Sequence, residues 1–359
     1  MPGRQMVRTI DAAPLALALI GCGRVVERYH LPALQRCSEW NVIGACDPLG
    51  ERREWMRRQL EDVRLFESVA DLLDDCRPHA ALVATPPSTH CEIVVRALEM
   101  GIDVLVEKPM ALSAADAEKM WQVSRRVGKR VAVGFSRRFK RTYRELRRRL
   151  ALVPPGDLQS IRFDLAGNAE AWQDMAGFLG DDDRGGGALD DLGSHQLDLL
   201  PWLVGQRVRR MRARRESGSD QRWQRIAFEL EFESGLTALC SVEHGPRREE
   251  HLRIELRDRQ LVAHQGRLLE LRRHSAAWMR TYGRLRRFYD RVIGRPRPEE
   301  TLVQFVRQLQ SFAVAARSAD GPVDVADARS GIDTVRLVET CRRSMRSSGS
   351  WVTVESSSA

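Results

Sequence analysis

Six short apolar segments in the first third of the chain, separated by amphipathic or turn-rich stretches, constrain its fold more than any other feature. They run from Leu15 to Ile20, Asn41 to Cys46, Leu65 to Phe66, Ala80 to Ala84, Asp103 to Val106 and Arg130 to Gly134. Helical spacing is predicted between them over Val25 to Gln35, Glu51 to Leu60, His90 to Met100 and Ser113 to Arg126. The last of these has Ser113 as its cap and Asp116 three residues on, a relative of the capping box. Strands that are apolar throughout need cover on both faces, and crossover helices provide it. The pattern therefore predicts an α/β, doubly wound parallel sheet over residues 1–135.

A chain of 359 residues exceeds what one hydrophobic core normally organises, so a second domain is expected over residues 136–359. A helix is predicted from Arg141 to Leu150, and Pro154-Pro155-Gly156 then leads into β-rich sequence. Segments Leu158 to Leu165, Trp223 to Phe232, Leu236 to Glu243, His251 to Leu256, Leu261 to His264 and Leu268 to Leu271 alternate apolar and polar positions. Alternation describes a mostly antiparallel, open sheet with one face packed and one face bare. That α+β domain closes with helices predicted over Thr301 to Arg317 and Ala326 to Met345 and a short strand at Trp351 to Val354, while residues 276–300 read as basic and irregular. A bare sheet face predicts self-association, to a dimer or tetramer.

Composition narrows the function classes. Net charge is +9, which raises a nucleic-acid partner, but the arginines are dispersed among acids in runs such as Glu51-Arg52-Arg53-Glu54. The densest basic cluster, Arg141 to Arg149, contains Tyr143 as its only aromatic residue, too few for a base-stacking platform. No nucleic-acid partner is therefore expected. The seven cysteines form no C-x-x-C pair, so neither a disulfide framework nor a metal site is indicated and a reducing, cytoplasmic setting is expected. Arg4 and Arg8 before Leu15 to Ile20 and Gly21-Cys22 imitate an export signal, but Asp11 and Pro14 interrupt it and the fold needs the strand. No apolar run is long enough to span a bilayer, so no membrane partner is expected.

Open α/β sheets bind ligands at the carboxyl ends of their strands, and those ends carry the chemistry-bearing residues here. Gly21-Cys22-Gly23-Arg24-Val25-Val26 joins the first strand to the first helix, where backbone amides meet a dinucleotide pyrophosphate. Val26 stands where a third glycine is usual. A glycine pair alone often marks only a tight turn. Asp47, at the end of the second strand, can accept ribose hydroxyls and repel a 2'-phosphate, favouring NAD, while Arg52 and Arg53 keep NADP open. Ala84-Thr85-Pro86-Pro87-Ser88-Thr89-His90 follows the fourth strand; Ser88 or Thr89 suits a helix cap, and Thr85 is the better cofactor-side residue.

At the fifth strand end stands Glu107-Lys108-Pro109. The chain's 58 basic residues include only four lysines, so a lysine at a strand end suggests that an amine is needed there. An amine can bond a reacting hydroxyl and exchange a proton with it, whereas guanidinium stays protonated. The bland reading is a turn ended by Pro109 with Lys108 in solvent. In the second half, Gly185-Gly186-Gly187 approaches a helical stretch in which Asp191, His195 and Asp198 fall at i, i+4 and i+7. A carboxylate one turn from an imidazole can orient it as a general base. The ordinary alternative is a His-Asp helix pair with Asp198 capping or pairing an arginine, and metal ligation lacks a third ligand.

With these segments together, the chain resembles the Gfo/Idh/MocA family of NAD(P)-dependent oxidoreductases along nearly its full length. The resemblance rests on Gly21-Cys22-Gly23, on Ala84 to His90, on Glu107-Lys108-Pro109, and on Gly187 to His195 ending in Asp198. It implies a Rossmann domain followed by a mixed-sheet domain, with the substrate in the cleft between them. Implied roles are Lys108 bonding the reacting hydroxyl, His195 as acid/base, and Asp191 positioning substrate or imidazole. Implied cofactor contacts are Gly21, Gly23, Arg24, Val25, Asp47, Thr85, Pro86, His90, Glu107 and Lys108, with Glu107 holding the Lys108 turn. The implied reaction is hydride transfer between NAD(P) and a secondary alcohol or ketone of a sugar, cyclitol or polyol. The same family also offers an NAD-dependent glycosidase, and a dinucleotide-sensing protein without turnover is the reading outside enzymes. The loop residues around Asn168 to Asp174 and the 240s carry no recognisable substrate code.

Overall fold

The apolar segments of the first half assemble into one parallel sheet, as their continuous burial requires. A computed structural model describes residues 13–154, 156–168, 187–217, 224–245, 248–272, 298–318 and 324–355. Six parallel strands, β1 (Leu15–Ile20), β2 (Trp40–Cys46), β3 (Arg64–Phe66), β4 (Ala80–Val83), β5 (Asp103–Val106) and β6 (Val131–Val133), lie in the order β6-β5-β4-β1-β2-β3. The connections are α1 (Leu31–Leu34), α2 (Gly50–Gln59), α3 (Val69–Cys76), α4 (His90–Glu99) and α5 (Ala114–Val127). The cap predicted for α5 is formed, with Ser113 Oγ accepting from Asp116 N at 3.1 Å and donating to Asp116 Oδ2 at 2.7 Å. The helix predicted from Val25 begins as a π-helical turn over Val26–His30 before α1 continues it. Between β1 and β4 the strand order reverses direction, the place where such sheets bind ligands.

The second sheet has eight strands: β7 (Leu158–Asn168), β8 (Val208–Ser217), β9 (Gln224–Phe232), β10 (Thr237–Gly245), β11 (Glu249–Leu256), β12 (Arg259–His264), β13 (Arg267–Arg272) and β15 (Val352–Thr353). All its pairings are antiparallel except β7 with β10. Its inner face packs on α6 (Arg141–Leu150) and α7 (Ser194–Val204), with Tyr143, Phe163, Leu199, Leu200, Phe232 and Ile254 at or near zero exposure. Strand β8 escapes the sequence reading because five arginines in ten residues swamp its alternation. Met211 and Ala213 point into the core, while Arg210 and Arg212 bond Glu231 and Glu229 across the outer face.

Two C-terminal helices return to the first half. Helix α8 (Pro298–Arg317) inserts Phe305, Leu309 and Phe312 beside α1 and β1, and its Leu309 carbonyl accepts from Trp40 Nε1 at 2.9 Å. Burying each of those side chains contributes about 1.5–3 kcal/mol. A short strand β14 (Ala326–Asp327) then adds antiparallel to β6, and α9 (Ala328–Arg346) buries Ile332 and Val335 in the first core and Leu337 and Cys341 in the second. At Gly331 a Cβ would lie 2.4 Å from Met110 Sδ, so only glycine lets α9 seat this closely on the sheet.

Candidate active site

A cavity of about 480 Å³ opens at the carboxyl ends of the parallel strands and is roofed by the second sheet. Gly23, Thr85, Lys108 and Ser136 reach it from successive strand ends of the first half, Asp191, His195 and His244 from the second, and Phe305 from α8. Each strand delivers its residue because the chain must leave the sheet there to reach the next helix.

Glu107 anchors the fifth strand end. It is buried, with Oε1 sharing a 2.6 Å hydrogen bond with His30 Nε2 and Oε2 accepting from Lys108 N at 3.1 Å. Burial alone would raise its carboxyl, but the bond to His30 and the nearby Lys108 charge hold it below the usual value. A Cβ at Gly134 would stand 2.9 Å from the Glu107 carboxyl carbon, so glycine at the β6 end makes room for it. The Lys108–Pro109 peptide is cis. His90 is fully buried beneath this turn, with its ring nitrogens facing Thr85 O at 2.9 Å and Pro109 O at 3.1 Å. It ties two strand-end loops together and does not border the cavity.

Lys108 does not project into solvent. Its Nζ donates to Asp191 Oδ1 at 2.5 Å and to the Asp191 carbonyl at 3.1 Å, spanning the two halves of the molecule. The other Asp191 oxygen, Oδ2, lies 3.1 Å from His244 Nε2. Burial would push the Asp191 carboxyl up, but the Lys108 ammonium and His244 overcome it and hold it well below the carboxylate range. Sequence spacing places Asp191 one turn from His195, but the structure directs its carboxylate to Lys108 and His244. The reason is a π-helical turn at Leu189–Gly193, whose wider winding breaks the i, i+4 geometry of an α-helix. Neighbouring Asp190 is fastened to α9 by Arg342 Nη2 at 2.5 Å, which holds this turn in place.

His195 borders the same cavity with Nδ1 buried and without a hydrogen-bond partner among the described residues. Burial pushes its pKa well below the ordinary value, and the positive charges of Arg137, Lys108 and Lys140 push the same way against Asp191. The imidazole is therefore neutral near pH 7, the form that accepts a proton. Asp198, the third member of the spaced set, is buried and takes Arg138 bidentately, Nε to Oδ2 at 3.0 Å and Nη2 to Oδ1 at 2.5 Å. That is the arginine pairing, away from the chemistry.

The first half has the features an NAD cradle needs. Gly21 has φ +91° and a Cβ there would sit 2.6 Å from Ala84 O, so glycine is required for the turn. A Cβ at Gly23 would meet no protein atom within 4 Å, which leaves its backbone open to a phosphate. Arg24 and Val25 border the cavity beside it. Val26, in the position of a third glycine, is fully buried in the core, and the π-helical turn begins there. Asp47 Oδ2 accepts from Cys22 N at 2.8 Å and Oδ1 from Leu49 N at 2.9 Å, so the carboxylate is pinned behind the glycine turn with further lone pairs for ribose hydroxyls. Arg52 is taken by Glu27 at 3.0 Å, and Arg53 by the Asp47 and Pro48 carbonyls at 2.7 and 2.9 Å. The Thr85 hydroxyl pairs with Thr89 Oγ1 at 2.8 Å, and Pro86 stands exposed next to it.

Sequence reasoning missed His244, Arg137, Lys140 and Phe305. The predicted strand stopped at Glu243, one residue short of His244; the strand-end rule applied to the second sheet would have found it. Phe305 stacks on Tyr29 at 4.9 Å between ring centroids, a contact between segments far apart in the chain that no local pattern signals. Residues 169–186, which take in all but Asn168 of the stretch expected to line the site from Asn168 to Asp174 and also Gly185-Gly186, lie outside the described residues. Among the described residues no group of three or more side chains is arranged to hold a metal, and no helix is long and apolar enough to cross a membrane.

Known proteins carry the same architecture. The model of an oxidoreductase family with an NAD-binding Rossmann fold matches residues 15–135, and that of the GFO/IDH/MocA C-terminal domain matches residues 143–257. Rhizopine catabolism protein MocA of Rhizobium meliloti is 28% identical over 193 residues, 53% of this chain and 57% of that protein. D-glucoside 3-dehydrogenase of Escherichia coli is 25% identical over 202 residues, 56% and 57%. The chain thus spans only a little over half the length of the curated relatives it matches. Among solved structures, myo-inositol 2-dehydrogenase from Lactobacillus plantarum superposes with a TM-score of 0.78 at 17% identity, covering 95% of this chain and 100% of that one. The WlbA dehydrogenase from Bordetella pertussis, in complex with NADH and UDP-GlcNAcA, gives 0.77 at 20%, covering 97% and 99%. Likeness at that identity establishes the fold, and the two family models, matched in sequence to the halves that build the cavity, establish the lineage: the chain belongs to the Gfo/Idh/MocA family of NAD-binding oxidoreductases.

Proposed function

We propose that this protein is an NAD-dependent dehydrogenase or reductase acting on a CH–OH group of a sugar, cyclitol or polyol. The observation that carries this reading is the Lys108–Asp191 contact at 2.5 Å, which puts an amine from the parallel sheet beside a neutral His195 from the second half, in one cavity. Bound NAD supplies the hydride acceptor. His195 takes the hydroxyl proton of the alcohol, which an uncharged imidazole does without first losing a proton. Lys108 donates to the same oxygen and stabilises the negative charge that develops on it, with Asp191 fixing the ammonium in direction. In the reductive direction the protonated imidazole returns the proton to the alkoxide oxygen. Relatives named as D-glucoside 3-dehydrogenase and scyllo-inositol 2-dehydrogenase support the CH–OH class.

We also propose that the chain works in a reducing, cytoplasmic setting, since all seven cysteines are free and five of them are buried. Self-association to a dimer or tetramer would use the outer face of the eight-stranded sheet, where Leu239 is 49% exposed amid charged side chains. The decisive experiment is mass spectrometry of the cofactor retained through purification, followed by a sugar and polyol panel scored by NADH formation. Net hydrolysis without free NADH would move the assignment to a glycosidase, and absence of any turnover to a sensor.

A further inference from the structure

The second-half end of the cavity carries more positive charge than its own structure uses. Arg137 and Lys140, in the turn after β6, both border the cavity and are each less than a tenth exposed. They share one carboxylate: Glu250 Oε2 accepts from Arg137 Nη1 at 2.5 Å, and Lys140 Nζ lies 2.8 Å from both Glu250 oxygens. The remaining group on Glu250 is the Tyr143 hydroxyl at 2.5 Å, which is neutral. Among the described residues these two buried cations bond a single buried carboxylate, an excess of one positive charge within the cluster, and Arg248 adds an exposed cation at the same rim. Burial pulls the Lys140 ammonium down to about 8, with Glu250 opposing and Arg137 and Arg248 adding repulsion.

The nicotinamide cofactor does not answer this charge. Its pyrophosphate belongs at Gly23 and Arg24, at the first-half strand ends, whereas Glu250 stands in β11 of the second sheet, Arg248 directly precedes that strand, and Lys140 bonds Glu250. The cluster is nonetheless close to the chemistry, because both Arg137 and Lys140 act electrostatically on His195. A neutral polyol would leave a buried cation unpaired, which is costly, and a monoanion seated there would restore balance.

We propose that the substrate is a sugar acid, whose carboxylate docks on Lys140 and Arg137 while its secondary hydroxyl meets Lys108 and His195. This rests on the dehydrogenase reading above and names the substrate class of that same site. A carboxylate is favoured over a phosphate because the buried excess is a single charge. Lys140 and Arg137 are then specificity residues, and the Glu250 carboxylate positions them.

The test uses the full chain with NADH bound, titrated calorimetrically with D-glucuronate, D-galacturonate and D-mannuronate, with the parent hexoses, and with D-glucose 6-phosphate. The same compounds are then assayed for NADH formation with NAD. At least one hexuronate should bind about 30-fold or more tighter than its parent hexose, the lower end for a buried charge pair. Lys140→Gln should erase that preference with NADH affinity unchanged, and Arg248→Gln, at the exposed rim, should weaken it by a smaller factor without any risk to the core. Equal binding of acids and hexoses, absence of hexuronate binding into the millimolar range, or a preference that survives Lys140→Gln would overturn the proposal. Tighter binding of glucose 6-phosphate would replace the carboxylate by a phosphate. Tight hexuronate binding without NADH formation would keep the anion site and remove the dehydrogenase reading instead.

Discussion

The two walls of the cavity are built by opposite strategies. On the first-half wall, Gly23, Thr85, Glu107 and Lys108 each follow a strand end, and each strand is a local pattern of a few apolar residues. On the second-half wall, Lys140, Asp191, His195 and His244 come from a turn, a π-helical turn, a helix and a strand spread over more than a hundred residues, with Glu250 of another strand bonded behind Lys140. The first-half wall is thus made of short-range instructions repeated along one sheet, while the second-half wall exists only after β7, β10 and β11 have paired. Such a division lets substitutions retune the second wall without disturbing the dinucleotide fold.

The largest effect should come from the contact that joins the walls. Lys108→Ala and His195→Ala are each expected to lower single-turnover hydride transfer about 100-fold or more, with NADH affinity nearly unchanged. Lys108→Arg should not restore it, because the planar fork of a guanidinium does not match a single hydroxyl at the place of a compact ammonium. Near-full turnover in Lys108→Ala would break the comparison by returning this lysine to a plain turn.

A smaller loss, about tenfold, is expected for Asp191→Asn and for His244→Leu, since these act by holding Lys108 in direction. Both should reduce kcat more than they raise KM; an effect on KM alone would make His244 a binding group.

Acid dependence sharpens the second wall further. Because the folded-state pKa of His195 is depressed, it stays a competent base to lower pH than an ordinary histidine, and it protonates only when pH falls through that depressed value. The acid limb of kcat/KM for alcohol oxidation should therefore lie below pH about 6.5, the ordinary histidine value. A limb at or above that value, lost in His195→Ala, would show that burial does not depress this imidazole in the substrate-free enzyme.

The smallest expected change concerns the first wall alone. The protein should bind NADH more tightly than NADPH, and Asp47→Ala should narrow that gap severalfold by removing the charge that repels a 2'-phosphate, with no change in substrate preference. Tighter NADPH binding in the unmodified protein would refute the role given to Asp47.

Much of this molecule was legible before its structure. Continuous apolar runs can be satisfied only by burial on both faces, so the parallel sheet follows from Leu15 to Ile20 and its successors, and strand-end chemistry follows from the sheet. The glycine turn, the Ser113 cap and the exceptional Lys108 are local properties that need no partner. Tertiary structure alone decided the rest. It sent Asp191 to Lys108 and His244 rather than to His195, because a π-helical turn rotates the carboxylate off the helix face that spacing implied. It hid β8, whose arginines are outward partners of Glu229 and Glu231 and look like a solvated run until β9 pairs with it. It brought Phe305 back onto Tyr29 and α9 across both cores, and it set Lys140 and Arg137 on one Glu250. Contacts between segments far apart in the chain carry no local period, and their energies depend on burial that only the folded chain provides.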